Sequence, residues 1–401
     1  MRPARLAVAL SALLSASVLP FVSAVPAGAE PAAPDLATTV RAKIVEKAAP
    51  RAGARVTTAD TEVNVMREGS TWVFGSAIAK APHVEGAYPE GWLFVANRKG
   101  GAWQVAFEGE SAFPALTSAA PAAVVSGPEK KIFASHGRST VDKSPSRDAK
   151  PLAGGDFRTG MRLPWAVGQT WRLTGGPHGA SRQSIDVAGG DGRVLAARGG
   201  TFYVMCASQR GWVRVAHDRG YSTDYYHLQG NRTDNGVTVA EGAFLGNIGV
   251  DVSCGGSATG PHNHFSLRQN AVYIGIASHS LGKWQVYNGA AEYQGYALHG
   301  SAQANVGGSL YNYGPLGFTE GVVDTNGGGV LNKRSGPGTN YGVVGTVPDG
   351  NTVAISCSAN GTSHTGRFNY TTAMWNRLSD GSWISDAFTW TGTGNPVNGW
   401  C

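Results

Sequence analysis

The stretch GPHNHF, residues 260–265, is the point from which the rest of this chain can be interpreted. It continues into Ser266-Leu267, and such a run is typical of a β-strand. Successive side chains of a strand point to opposite faces, so His262 and His264 are expected to share one face, roughly 6.5–7 Å apart. Two imidazoles placed in this way can serve one reaction centre, one binding a metal and the other facing a substrate.

Two further candidate ligands lie upstream. His178 follows the glycines of GGPH in a predicted turn, and Asp186 lies in the short apolar run 184–187. Catalytic zinc sites keep three protein ligands and leave the fourth position for a water, whose pKa the metal lowers to ~7. The sequence therefore predicts a Zn²⁺ site formed by His178, Asp186 and His264.

A fourth histidine, His227, lies in the aromatic, strand-like run YYHL at 225–228. His227 and His262 are then available as a pair for proton transfer or for stabilising transition-state charge. Each residue alone has a plainer explanation, because a histidine in a Gly-rich turn is usually at the surface and a strand histidine usually bonds to a neighbour. The combination of four histidines with one aspartate is what favours a catalytic metal site.

The chain resembles the lysostaphin-type zinc endopeptidases, and within them the β-lytic/LasA-type branch. The motifs that carry the resemblance are GGPH at 175–178, SID at 184–186, STDYYHL at 222–228 and SATGPHNHFSL at 257–267. The resemblance implies that His178, Asp186 and His264 are the metal ligands and that His227 and His262 are catalytic. No His-Glu-x-x-His motif occurs, so a helical metalloprotease site has no support.

Composition bounds the fold class. A chain of 401 residues suffices for two or three domains, and 57 glycines with only 15% charged residues favour a turn-rich, mainly β protein. The net charge of +6 suits an anionic envelope but defines no nucleic-acid site. We expect an antiparallel β-sheet peptidase core with a groove, a small SH3-like β-barrel and an N-terminal β-rich prosegment.

The first 29 residues are predicted to be a signal peptide. Arg2 and Arg5 precede an apolar stretch at 6–19, and cleavage is expected after Ala24 or, as we prefer, after Ala29. The apolar stretch is too short for a typical membrane-spanning helix, and no later stretch is long enough. The mature protein is therefore expected to be secreted, extracellular and monomeric, without stable membrane association.

Residues 30–154 are predicted to be a propeptide, because proteases of the resembled type are often made as precursors. Strands are expected at 55–65, 71–79, 92–97 and 102–107, followed by an exposed basic linker at 143–151. The alternative is a permanent N-terminal β module. The segment has no cysteine, so any inhibition of the metal must be steric or use another donor, such as His136.

Residues 155–313 are the predicted catalytic domain. Strands are expected at 194–197, 201–205, 212–216, 222–227, 237–239 and 244–248, and no long helical period appears. Four aromatic residues are assigned to the core or rim, with a substrate-lining role left open: Trp284, Tyr287, Tyr293 and Tyr296.

Residues 317–401 resemble bacterial SH3-like modules, which commonly hold cell-wall peptides, so the resemblance implies wall targeting. The alternative is that Tyr341, Trp375 and Trp383 simply fill a small barrel. The four cysteines allow three connectivities. Pairing within each predicted domain selects Cys206–Cys254 and Cys357–Cys401, and the resemblance also implies the first bridge.

The function expected from these features is a secreted zinc metalloendopeptidase that hydrolyses glycyl or D-Ala-linked bonds in bacterial peptidoglycan cross-links. Gly-rich proteins are expected as secondary substrates. Three alternatives stay open. The protein could be a catalytically inactive wall-binding module that recruits or activates another hydrolase, a structural wall-anchoring protein whose functional part is the tail, or an amidase that cleaves at the glycan–peptide junction.

Overall fold

The computed structural model of the chain describes residues 35–48, 55–135, 155–277 and 279–401. The predicted signal peptide, the predicted linker at 143–151 and His136 lie outside the described residues. The described residues comprise an N-terminal module (35–135), a central module (155–313) and a tail (317–401).

The N-terminal module combines a four-stranded antiparallel sheet, in the order β1-β2-β3-β4, with three helices. The strands are β1 Thr61–Glu68, β2 Trp72–Ala79, β3 Glu90–Lys99 and β4 Ala102–Phe107; the helices are α1 Leu36–Lys47, α2 Ala112–Ala119 and α3 Gly127–Ser135. The four predicted strands are present, although the first begins at Thr61 rather than at 55. The helices were not predicted; α1 begins after Asp35, whose carboxylate accepts the Thr38 N–H at 2.7 Å.

The central module is built on a nine-stranded sheet in the order β11-β8-β9-β10-β13-β6-β5-β19, with β14 paired to β13. The first ten strands of the central module, not all of them in this sheet, are β5 Thr170–His178, β6 Ser184–Gly189, β7 Arg193–Leu195, β8 Gly200–Val204, β9 Gly211–Ala216, β10 Tyr221–Leu228, β11 Val237–Val239, β12 Phe244–Asn247, β13 Asn263–Gln269 and β14 Val272–Tyr273. The remaining five are β15 Ser280–Leu281, β16 Trp284–Asn288, β17 Gly295–His299, β18 Ala302–Asn305 and β19 Ser309–Tyr311. The prediction of a mainly β fold is confirmed.

Both faces of the central strands β9, β10 and β13 of this large sheet are buried. Alternate residues such as Val213, Tyr225 and Phe265 pack into the core of the central module. On the opposite face, Trp212 and Tyr226 belong to a second apolar cluster that also contains residues of the N-terminal module. Because side chains alternate along a strand, every second residue of β9, β10 and β13 therefore faces the N-terminal module. We call this side of the sheet the covered face.

The tail forms a seven-stranded sheet in the order β22-β21-β25-β24-β23-β20-β26. Its strands are β20 Glu320–Val323, β21 Val330–Arg334, β22 Val343–Pro348, β23 Thr352–Thr365, β24 Thr371–Leu378, β25 Trp383–Ser385 and β26 Thr389–Trp390. This strand order does not establish the SH3-like barrel, which stays a prediction. Of the three aromatic residues considered for wall binding, Trp375 is buried, Trp383 is half-buried and Tyr341 is 41% exposed.

The tail packs on the start of the central module. The Phe157 N–H bonds to the Gly392 carbonyl at 2.8 Å, and Arg158 Nη1 donates to the Phe318 carbonyl at 2.8 Å. Disulfides join Cys206 to Cys254 and Cys357 to Cys401, as expected. Such bridges fit an exported protein. Within the described residues, no helix has both the length and the apolar character needed to span a membrane.

Asp386 in the tail carries a testable pH dependence of stability. Burial raises the pKa of its carboxyl to about 7, against the opposing effect of hydrogen bonds from Asn376 and Tyr370. Between the unfolded value of 3.8 and about pH 7, the unfolded chain releases this proton while the folded chain keeps it. The free energy of unfolding should therefore fall as pH rises through that window, by about 2–4 kcal/mol in total.

The variant Asp386→Asn should lack this component, so its stability relative to the wild type should increase between pH 4 and pH 7. Thermal or denaturant unfolding across this range measures the difference, with the exposed Asp191→Asn as a control. A stability difference between Asp386→Asn and the wild type that is constant with pH would contradict the assignment.

Candidate metal centre

Neighbouring strands at the edge of the covered face bring the three predicted ligands together. His178 is the last residue of β5, not part of a turn as predicted, and Asp186 lies on β6. Asp186 is paired directly with His264 on β13, which sets their side chains side by side on one face. Gly175 on β5 passes so close that an added Cβ would lie 2.7 Å from Asp186 Oδ2. A side chain at position 175 would therefore displace the carboxylate.

The three donor atoms are spaced as a small cation requires. His178 Nε2 lies 3.1 Å from His264 Nδ1 and 3.5 Å from Asp186 Oδ1, and His264 Nδ1 lies 3.1 Å from the same oxygen. A tetrahedral zinc with ligand distances of 2.0–2.1 Å separates its ligand atoms by roughly 3.3–3.4 Å. His178 Nδ1 also donates to the Gly176 carbonyl at 2.7 Å, which leaves its Nε2 lone pair facing the cluster. The residues fit a zinc ion.

His227 reaches the cluster because the backbone departs from regular strand geometry. Its φ is +66°, and the register between β10 and β9 shifts between Tyr225 and Leu228. On a regular strand, the side chains of neighbouring residues point to opposite faces. Here the rings of Tyr226 and His227 lie on the same side, with their centroids 4.3 Å apart. As a result, the ring centroids of His227 and His262 lie 4.7 Å apart.

The two non-ligand histidines present the same nitrogen to the centre. His227 Nδ1 bonds to the Asp251 carbonyl at 2.9 Å, and His262 Nδ1 bonds to the Gly260 carbonyl at 2.8 Å. A carbonyl only accepts, so both Nδ1 atoms carry a proton, and in the neutral form of each ring Nε2 is the acceptor. The Nε2 of His227 is buried and has no hydrogen-bond partner among the described residues, while that of His262 lies 3.6 Å from Asp186 Oδ1.

Burial and mutual charge set the ionisation of the cluster. Burial, then the neighbouring His264, lowers the pKa of His178 to about 4. Burial, then His264 and His262, lowers that of His227 to about 3. Burial alone would raise the pKa of Asp186, but the surrounding histidines reverse the effect and hold it at about 2. His178 and His227 are therefore neutral and Asp186 is ionised, and for His178 and Asp186 these are the protonation states of metal ligands.

Comparison with known proteins identifies this region. Residues 180–275 match the family profile described as Peptidase family M23. The central part of the chain is therefore similar to the M23 peptidases. The matched range contains Asp186, His227, His262 and His264, and His178 lies two residues before it.

Three relatives show how far the similarity extends. Protease LasA of Pseudomonas aeruginosa is 33% identical over 148 residues, which is 33% of this chain and 35% of that protein. Beta-lytic metalloendopeptidase of Lysobacter enzymogenes is 26% identical over 144 residues, 31% of this chain and 78% of that protein. The chain thus spans about a third of the length of LasA.

The third relative is the uncharacterized protein YraI of Bacillus subtilis, which is 38% identical over 84 residues, 19% of this chain and 70% of YraI. The chain belongs with YraI to one family, and that relative's name gives no activity.

Two tyrosines beside the candidate ligands of this M23-like region were not predicted. The ring of Tyr293 stacks on His178 with centroids 4.1 Å apart, and that of Tyr88 stacks on His264 at 4.3 Å. The two hydroxyl groups bond to one another. Burial, then this contact, raises the pKa of Tyr88, so its phenol stays neutral. The sequence favours a core or rim position for Tyr293, with a substrate-lining role left open, because the loop before β17 that carries it has no periodic signal.

The segment of the N-terminal module that carries Tyr88 lies along the M23-like region by backbone pairing. Ala81 N–H bonds to the Cys254 carbonyl at 3.0 Å, and Gly256 N–H bonds to the Pro82 carbonyl at 3.2 Å. Gly255 permits this approach, because an added Cβ there would lie 1.9 Å from the Ala81 oxygen. This pairing holds the segment that carries Tyr88 beside the candidate metal centre.

Proposed function

We propose that this protein is a secreted zinc metalloendopeptidase that hydrolyses peptide bonds in bacterial peptidoglycan cross-links and lyses bacteria. The observation that carries the proposal is the convergence of His178, Asp186 and His264 beside a second pair of histidines on one sheet face. The similarity to an M23 profile and to proteins named as a protease and a beta-lytic metalloendopeptidase supports the same reaction class.

In the proposed site His178, Asp186 and His264 hold Zn²⁺. When bound, zinc supplies Lewis acidity that polarises a peptide carbonyl and lowers the pKa of water. The Nε2 of His227 and that of His262 are acceptors facing this space, so these two residues take a proton from water and return it to the leaving amine. Their Nδ1 hydrogen bonds to backbone carbonyls fix both ring orientations.

The other parts of the chain receive roles consistent with this activity. The signal peptide at 1–29 and the two disulfides suit export. The tail at 317–401 is proposed to be SH3-like and to target the wall, with the exposed Tyr341 available to a ligand. Glycyl or D-Ala-linked cross-links are the proposed substrates, and Gly-rich proteins are secondary ones.

Residues 30–154 are proposed to be a propeptide that keeps the enzyme a zymogen. The ring of Tyr88 lies against the proposed ligands His178 and His264, in the space that a substrate would occupy. The proposed block is steric, because the segment contains no cysteine that could bind the metal.

The experiment that tests the function is mass analysis of fragments released from walls of defined cross-bridge type, with and without a chelator. An endopeptidase releases fragments with a new amino terminus inside the cross-bridge, whereas an amidase separates glycan from peptide. Purified protein without bound metal that digests walls equally well in EDTA would overturn the proposal. An inactive binding module would release no fragments and hold no stoichiometric zinc.

The zymogen proposal predicts that Tyr88→Ala raises hydrolysis by the uncut full-length chain several-fold, because removal of the ring opens the space over His264. Tyr88→Phe is the matched control: it keeps the stacked ring and should stay near the wild-type rate. A fluorogenic glycyl peptide measures both variants before and after cleavage within 136–154. An uncut wild-type chain as active as the cut chain would refute the block.

A further inference from the structure

Four charged side chains are buried together on the covered face, away from the metal centre. Glu108, just after β4 of the N-terminal module, accepts hydrogen bonds from Arg214 Nη1 and, at 2.7 Å, from Arg268 Nη1. Arg214 also binds Asp224 with two hydrogen bonds, from Nε at 2.6 Å and from Nη2 at 2.8 Å. All four side chains are at most 3% exposed.

The arginines share a sheet face with the proposed metal ligands. Arg268 lies four residues after His264 on β13, so both side chains point the same way, roughly 13 Å apart along the strand. Arg214 joins this face through cross-strand pairing, since it is opposite Asp224 and Asp224 is opposite Ser266. A cavity of about 690 Å³ is lined at different points by His264, Ser266, Arg268 and Glu108. One continuous space therefore connects the metal centre to Arg268 and Glu108.

The charges of this cluster balance only through the N-terminal module. The central module contributes two guanidinium groups and one carboxylate, Asp224, which is already engaged by Arg214 and by the Tyr273 hydroxyl at 2.7 Å. The second carboxylate, Glu108, belongs to the proposed propeptide. A buried guanidinium without an anion is strongly unfavourable. Release of residues 30–154 therefore leaves Arg268 without a carboxylate partner and Arg214 held only by Asp224, which favours an anion at the position that Glu108 held.

We propose that Arg268 and Arg214 form a carboxylate-binding subsite of the substrate groove, and that Glu108 occupies it in the full-length chain as a stand-in for a substrate carboxylate. The proposal rests on the proposed function and narrows its substrate class. The preferred substrate is a peptide with a free carboxylate roughly four extended residues from the scissile bond, because that length spans the distance from His264 to Arg268. Two guanidinium groups directed at one oxygen give a charge-assisted contact that a neutral amide does not replace.

The first test uses the full-length chain and needs no catalysis. Glu108→Ala leaves a space beside the arginines. The acetate ion of added sodium acetate should fill this space and raise the melting temperature of the variant by a few degrees. Sodium chloride at equal ionic strength should not. Glu108→Gln is the matched control, because its side chain fills the same space and should show no response to acetate; the double variant Glu108→Ala/Arg268→Gln should show none either. Equal responses in all three variants would overturn the subsite.

The second test uses the full-length chain folded first and then treated with a protease that cuts within 136–154 and degrades the released segment. Two peptides are compared that differ only in a carboxylate or a carboxamide at the proposed position. The wild type should prefer the carboxylate in kcat/KM by roughly tenfold or more. Arg268→Gln should reduce that ratio to about two or less, and Arg268→Lys should restore part of it.

The outcomes separate this proposal from the proposed function. A ratio unchanged by Arg268→Gln, with both peptides still cleaved, refutes the subsite and leaves the peptidase intact. Failure to cleave either peptide refutes the peptidase, and the acetate response of Glu108→Ala then decides on the subsite by itself.

Discussion

The variant His264→Ala should lose both bound zinc and peptide hydrolysis. His264 Nδ1 lies 3.1 Å from both His178 Nε2 and Asp186 Oδ1, so its removal takes away one of three converging donor atoms. We expect metal content to fall to background and turnover to fall by more than about 10³-fold. Metal analysis after gel filtration and a peptide-hydrolysis assay measure the two effects on the same preparation.

The matched control for this variant is His364→Ala, which removes a half-exposed histidine from β23 in the tail. It should keep both zinc and activity. A His264→Ala protein that is zinc-free and still active would show that the ligand assignment is wrong, whereas one that is active with full zinc would show that His264 is not a ligand.

The variant His262→Ala should keep zinc and lose most of its rate. His262 presents Nε2 to the centre while its Nδ1 is held by the Gly260 carbonyl at 2.8 Å, an arrangement suited to proton transfer. General acid–base groups typically contribute 10²–10⁴-fold, so kcat should fall by about that factor. KM should change little, because the metal and the groove are retained. If the variant instead loses its metal, the roles of His262 and His264 have been exchanged.

Local pattern was sufficient to predict much of the fold and the residues of the centre. Alternation and turn residues predict short strands, and β7 to β12 each lie where a strand was expected. The His-x-His spacing predicts that His262 and His264 share a face, and the structure places both beside Asp186. These predictions succeed because strand periodicity is a property of neighbours in sequence.

The parts that were not predicted depend on contacts between residues far apart in sequence. Tyr88 meets His264 across the boundary between two modules, and Glu108 meets Arg214 across 106 positions. The approach of His227 depends on a positive φ, which no pattern of residue types specifies for a histidine. The helices of the N-terminal module were missed because they are short and α1 has little amphipathic character.

The apolar cluster shared by the N-terminal module and the covered face gives the protein an internal fluorescent reporter. Trp212 is only 2% exposed in the full-length chain, because Gly91 of β3 lies directly against its indole ring. On the proposed release of the N-terminal module, this indole passes from an apolar contact into water, and its emission should shift to longer wavelength. The emission of Trp212 changes only when the module dissociates. Its time course therefore distinguishes dissociation of the module, which uncovers the groove, from the preceding cleavage of the chain.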